Sequence, residues 1–124
     1  TRLLKASQPE QNPNKTSLDI LRNFNVLVEE NFRTEHSVAF YADLLFKSPK
    51  TLSNSFAKLK TSPLKIIHQR IILEAKRMLL YTDKTTKEIA YQIGFDDASH
   101  LSRMFKKQTG ISPSAFKQST KMSA

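Results

Sequence analysis

Leu52-Ser53-Asn54-Ser55-Phe56-Ala57-Lys58 and Leu101-Ser102-Arg103-Met104-Phe105-Lys106-Lys107 are two copies of one pattern. Each is preceded by an alanine (Ala42, Ala90) and followed by a Ser-Pro pair (Ser62-Pro63, Ser112-Pro113). A pattern that recurs together with its punctuation marks one supersecondary unit used twice. Here the unit reads as helix, tight turn, helix. At 100° per residue, Leu101, Met104, Phe105 and Gln108 fall on one side of the second copy. Ser99, Ser102, Arg103 and Lys106 fall on the other. In the first copy Leu52, Ser55, Phe56 and Leu59 form the inner side, and Lys50, Ser53, Asn54 and Ala57 the outer. Small residues let a helix backbone approach a partner closely, while Arg carries paired donors that match guanine O6/N7 and Asn a donor and an acceptor that match adenine N7/N6. A merely solvated helix face more often carries Glu/Lys pairs.

The turn before the second copy is Ala90-Tyr91-Gln92-Ile93-Gly94. Its alanine gives room for a crossing helix, and its glycine supplies a left-handed residue between helices. Gly94 corresponds to Phe46 in the first copy, and a phenylalanine resists positive φ. The Ala-to-Leu spacing is also one residue shorter there, so the two turns are expected to differ in detail.

Punctuation sets the remaining elements. Ser48-Pro49, Ser62-Pro63 and Ser112-Pro113 each place a hydroxyl acceptor at the N-cap and a proline at the first helical position. Thr85 with Glu88 forms a capping box, Asp97 caps a helix starting at Ala98, and Ser17 and Ser37 are expected caps upstream. Seven helices are expected, near 17–32, 37–46, 49–60, 63–81, 86–93, 98–108 and 113–119. No stretch alternates with period two, so the fold class is all-α. The first helix-turn-helix spans about 37–61, the linker helix about 63–81 and the second helix-turn-helix about 86–109. Residues 1–15, with two prolines, read as a linker or flexible tail before a domain over 16–124. The helix over 63–81 is apolar around nearly its full circumference, so it is expected to be covered on more than one side and to join two packed units.

Charge narrows the class of partner. The 124 residues carry 20 Lys+Arg against 11 Asp+Glu, a net charge of +9. Residues 1–34 are close to neutral, so the excess lies in the repeat-bearing part. This favours a polyanion. The chain has no cysteine, which removes disulfides, thiolate metal sites and thiol nucleophiles. Its two glycines are too few for a phosphate-cradling loop. The longest apolar run, Val38 to Ala42, is far short of the roughly 20 residues of a spanning helix, and residues 1–15 do not resemble a signal peptide. Thr1 suggests a piece of a longer chain. His36, His68 and His100 lie in three helical units without metal-ligand spacing. His68 is expected to pack. Asp97 is explained by capping, and Phe56 and Phe105 by the core. No nucleophile–base pair or metal set emerges, so the expectation is a binding protein, not an enzyme, with no cofactor and no metal.

Residues 37–117 resemble the AraC/XylS family DNA-binding domain of bacterial transcription regulators. The stretch carrying the likeness runs from Glu88-Ile89-Ala90-Tyr91-Gln92-Ile93-Gly94-Phe95 through Asp96-Asp97-Ala98-Ser99-His100-Leu101-Ser102-Arg103 to Met104-Phe105-Lys106-Lys107-Gln108-Thr109-Gly110-Ile111-Ser112-Pro113. Leu73-Glu74-Ala75-Lys76-Arg77-Met78-Leu79-Leu80 is similar to the family's connecting helix. The resemblance implies two helix-turn-helix units whose recognition helices, 49–60 and 98–108, enter successive major grooves. Base readers then map to Lys50, Ser53 and Asn54, and to Ala98, Ser99, His100 and Arg103, with Ser102 on the same outer face. Phosphate contacts are expected from Lys106 and Lys107, and from Lys47, Ser48, Lys58 and Thr86. The implied partners are double-stranded DNA, RNA polymerase and an N-terminal sensor or dimerisation domain, in the cytoplasm and with no membrane. Asn54, Ala57, Thr61, Leu101 and Phe116-Lys117 depart from the family's pattern. Thr61 stands where the family often has Gly, and the less basic first recognition helix leaves the second expected to dominate affinity. The alternatives are sequence-neutral, nucleoid-type DNA binding and a helical protein-interaction or membrane-surface module.

Overall fold

Local capping chemistry fixes where the helices begin. The computed structural model describes residues 13–123 and holds seven helices and no strand among them: α1 Pro13–Asn31, α2 Val38–Leu44, α3 Pro49–Ala57, α4 Pro63–Tyr81, α5 Thr86–Gln92, α6 Ala98–Thr109 and α7 Pro113–Ser123. The Oγ atoms of Ser48, Ser62 and Ser112 accept from the backbone N–H of Thr51, Lys65 and Ala115 at 3.1–3.2 Å, so all three Ser-Pro pairs start helices as read. Ser37 caps α2, Asp97 caps α6, and Thr85 with Glu88 closes a reciprocal box on α5. Ser17 is not a cap. α1 starts earlier, at Pro13, and Ser17 lies inside it, buried on the same face as Phe24 and Val28. Residues 1–12 of the expected tail lie outside the described residues.

The chain divides into two compact units. The first takes α1 up to Glu30 together with Ser37–Ile66. Phe24 at its centre lies 5.4 Å from Tyr41 and 5.1 Å from Phe56, ring to ring, with Leu52 and Ala42 fully buried around them. The second takes Asn31–His36 and everything from Ile67 onward. Ile67, Ile71, Ile72, Ala75 and Leu79 of α4 are buried here, as are Ile89, Ala90, Ile93, Phe95, Leu101 and Phe105. α4 therefore begins in one unit and continues in the other, as its apolar circumference suggested. Coverage is not complete: Leu73 is 52% exposed, Leu64 and Leu80 are close to half exposed, and Tyr81 is more so.

Glu74 on α4 is almost buried and is met by three guanidiniums, those of Arg33 at 3.0 Å, Arg77 at 3.2 Å and Arg70 at 3.5 Å. A carboxylate out of water needs such compensation.

The two helix-turn-helix turns share one backbone design at the left-handed residue, against expectation for Phe46, and differ in length by one residue, as the spacing implied. Phe46 has φ +56° and Gly94 φ +92°. In both, the next residue's N–H bonds back to the alanine carbonyl: Lys47 to Ala42 at 3.0 Å and Phe95 to Ala90 at 2.9 Å. The left-handed residue also bonds back, Phe46 to Asp43 and Gly94 to Tyr91. These paired bonds satisfy the orphan carbonyls of a helix end. Phe46 is tolerated because its side chain is 95% exposed and meets almost nothing, leaving a backbone cost of about 1–2 kcal/mol. The first unit repeats the device at the end of α3, where Lys60 takes φ +61° and Thr61 N–H bonds to the Phe56 carbonyl. The left-handed position is thus Lys60, matching Gly110 (φ +89°) by its distance from the following proline, and not Thr61.

Candidate nucleic-acid interface

Each short helix after a turn separates its faces cleanly. On α3, Leu52 and Phe56 are buried, Ser55 and Leu59 are half-buried, and Lys50, Ser53, Asn54, Ala57 and Lys58 are exposed. On α6, Leu101 and Phe105 are buried, while Ser99, His100, Arg103, Lys106 and Lys107 are exposed. Ala98, Ser102 and Met104 are half-buried between the two faces. Gln108 was placed on the inner side by its angle but is exposed, because the packed face has ended one turn earlier at Phe105.

Several of these groups have local duties. Ser48 accepts from Thr51 N–H and its hydroxyl donates to Thr51 Oγ1 at 2.9 Å. Asp97 Oδ1 accepts from Ser99 N–H at 2.8 Å, and this bond, helped by the charges of Arg103 and His100, holds the carboxyl below its ordinary range. Lys47 and Thr86 are half-buried. Thr86 lines an open groove of about 530 Å³ with Lys84, Lys87, Ser114 and Lys117, and Lys117 Nζ donates to the Thr82 carbonyl at 3.1 Å. Those three lysines come from two helices and a loop, so no run of basic residues in the sequence announces the groove.

The histidines are nearer to one another than their sequence positions suggest. His36 packs against Phe95 in a tilted contact with centroids 4.6 Å apart, and Phe95 meets His100 at 5.1 Å in an edge-to-face contact. His68 is held below its ordinary value first by burial, then by the charges of His36, Lys107 and His100. The link is the segment Asn31–His36, which connects α1 to α2 in sequence and belongs to the second unit. No group of three or more metal-binding side chains is arranged for an ion among the described residues, and no helix there is long and apolar enough to cross a membrane.

A family model described as a helix-turn-helix domain matches residues 41–119. The transcriptional activator and DNA repair enzyme AdaA of Bacillus subtilis is 30% identical over 114 residues, covering 91% of this chain and 53% of AdaA, so the chain spans about half of that relative. The C-terminal domain of the response regulator yesN from Fusobacterium nucleatum superposes with a TM-score of 0.74 at 26% identity, covering 80% of this chain and 98% of that domain. The DNA-binding domain of AdpA, solved with a target DNA, superposes at 0.67 with 24% identity, covering 88% and 93%. Matched over most of its length by that family model and carrying both turns and both exposed helix faces, the chain belongs to the AraC-type helix-turn-helix family of transcription regulators.

Proposed function

We propose that this chain is a sequence-reading module for double-stranded DNA in a bacterial transcription activator. One observation carries the reading. In each unit a short helix behind a left-handed turn buries one face and turns outward a face of small residues and donor-rich side chains. Such a helix fits the major groove, where each base pair presents its own donor and acceptor pattern. On α3 the base readers are Lys50, Ser53 and Asn54. On α6 they are Ser99, His100 and Arg103, with half-buried Ala98 and Ser102 allowing close approach of the backbone. Lys47, Ser48, Lys58, Thr86, Lys106 and Lys107 hold phosphates. Major-groove half-sites on one face of B-DNA recur about 34–36 Å apart, so two reading helices suit a site of two blocks. AdpA's complex with a target DNA supports the same use of the fold.

The full-length protein then carries a sensor or dimerisation domain before this one, meets RNA polymerase at its promoters and works in the cytoplasm. No catalysis is proposed: the base-reading donors lie along the exposed faces of α3 and α6. The test is a competition titration. A duplex selected for binding should be held at least ~10³-fold more tightly than random duplex at physiological salt. Equal binding of both would replace this reading with the nucleoid-type one, and no binding to either would point to a protein partner.

A further inference from the structure

Two turns with the same backbone carry different residues for a reason that lies outside the turns. At Phe46 the outer side is open, so even a phenylalanine is accommodated. At Gly94 a Cβ would stand 2.6 Å from the Arg33 carbonyl oxygen and 3.0 Å from His36 Nε2. The segment Asn31–His36 lies against the second turn there. It is anchored at both ends. Phe32 is fully buried, with the guanidiniums of Arg33 and Arg70 at 4.6 Å and 4.1 Å from its ring centre, and Arg33 reaches Glu74. At the other end His36 Nε2 lies 2.7 Å from the Ile93 carbonyl oxygen. A carbonyl only accepts, so Nε2 carries the hydrogen. The His36 ring also packs at a tilt against Phe95, and Phe95 meets His100, third residue of the recognition helix, edge to face.

We propose that His36 is a positioning residue for the second reading helix. The strap Asn31–His36 sets the direction in which α6 leaves the Gly94 turn, through the bond to Ile93 and the His36–Phe95–His100 ring contacts. This deepens the proposed DNA-reading function and rests on it. The Ile93 carbonyl ends α5, and without His36 it loses a short bond in a packed site, so the turn gains freedom just where the helix begins.

Two variants of the full chain separate the parts. His36→Phe keeps a ring against Phe95 and removes the donor, while His36→Gln keeps a donor near the position of Nε2. His36→Phe should lose about tenfold in affinity for a selected duplex, with affinity for random duplex unchanged. Methylation interference should fade only in the block that Arg103→Ala also erases. His36→Gln should recover most of the loss. Unchanged specific affinity in His36→Phe, an equal loss for selected and random duplex, or a loss in the other block would overturn the proposal. If the parent chain itself prefers no duplex, the functional reading fails and amide exchange in the free protein decides this one. Exchange at Phe95, Ser99 and His100 should be several-fold faster in His36→Phe and restored in His36→Gln. Equal exchange in all three proteins would refute the strap.

Discussion

Gly94→Ala compared with Gly110→Ala measures the strap in free energy. The two glycines have nearly the same backbone, φ +92° and +89°, but a Cβ at Gly110 meets nothing within 4 Å. Each substitution forces an alanine into the left-handed region at about 1–2 kcal/mol, partly offset by some 0.4–1 kcal/mol from a stiffer unfolded chain. Gly110→Ala should therefore cost about 1 kcal/mol or less. Gly94→Ala carries the same term and, in addition, drives a methyl group into the Arg33 carbonyl, a backbone atom that moves only with the strap. Displacing the strap disturbs the His36–Ile93 bond, whose net worth is about 0.5–1.5 kcal/mol, and loosens contacts around Phe32. The excess over Gly110→Ala comes to about 1–2 kcal/mol. With roughly 4–8 °C per kcal/mol for a small domain, Gly94→Ala should melt about 5–15 °C below Gly110→Ala. Far-UV circular dichroism melts of the three proteins, checked by urea titration, give the comparison. Equal melting temperatures for the two variants would mean that the strap exerts no pressure on the turn, and the reasoning would be wrong.

Phe46→Gly should raise stability by about 0.5–1 kcal/mol, because it relieves left-handed strain and gives up almost no packing; a lower melting temperature would show that the exposed ring is held by something. Arg103→Ala should cost about 1–3 kcal/mol of binding and relax preference at one base pair, whereas Lys106→Ala should weaken all sequences alike and reduce the salt slope by about one. Identical specificity profiles for the two variants would count against the assigned roles. His68 is disfavoured as a cation in the folded state, so the unfolded chain takes up its proton first. That contribution is complete above the ordinary value of 6.5 and declines as pH falls through 6.5 toward the lower folded value. Glu88 and Asp97, held low by N–H donors, act below their ordinary 4.5 and 3.8. Melting temperature should begin to fall between pH 7 and 5 in the parent and stay flat there in His68→Gln; parallel curves would remove His68 from the account.

The helix boundaries were legible because each rests on a few neighbouring residues. A serine or aspartate cap, a following proline and apolar residues three and four apart are local signals, and they placed the starts of α2 to α7 within a residue, whereas α3 ends three residues earlier and α7 four residues later than expected. Ser17 was misread although a signal existed: with Leu21, Phe24 and Val28 it completes one helical face, which argues for the interior of α1 and not its start. The left-handed Lys60 was likewise readable by counting back from Pro63 as from Pro113 to Gly110. Phe46 was not, since sterics disfavour the observed φ and only the near-complete exposure of the ring explains its tolerance. The strap was hidden for a different reason. His36 and Ile93 are distant in sequence, and neither residue type announces the contact. On the candidate interface, the polar faces of α3 and α6 followed from their angles, whereas the lysine groove around Thr86 depends on α7 folding back beside α5.

Selection of bound duplexes from a random pool tests the claim that this chain reads DNA with two helices. Two conserved blocks should emerge, with centres about 10–10.5 base pairs apart. One block should lose its conservation in Lys50→Ala with Asn54→Ala, and the other in Arg103→Ala. Recovery of a single block, or of sequences with none, would contradict that claim.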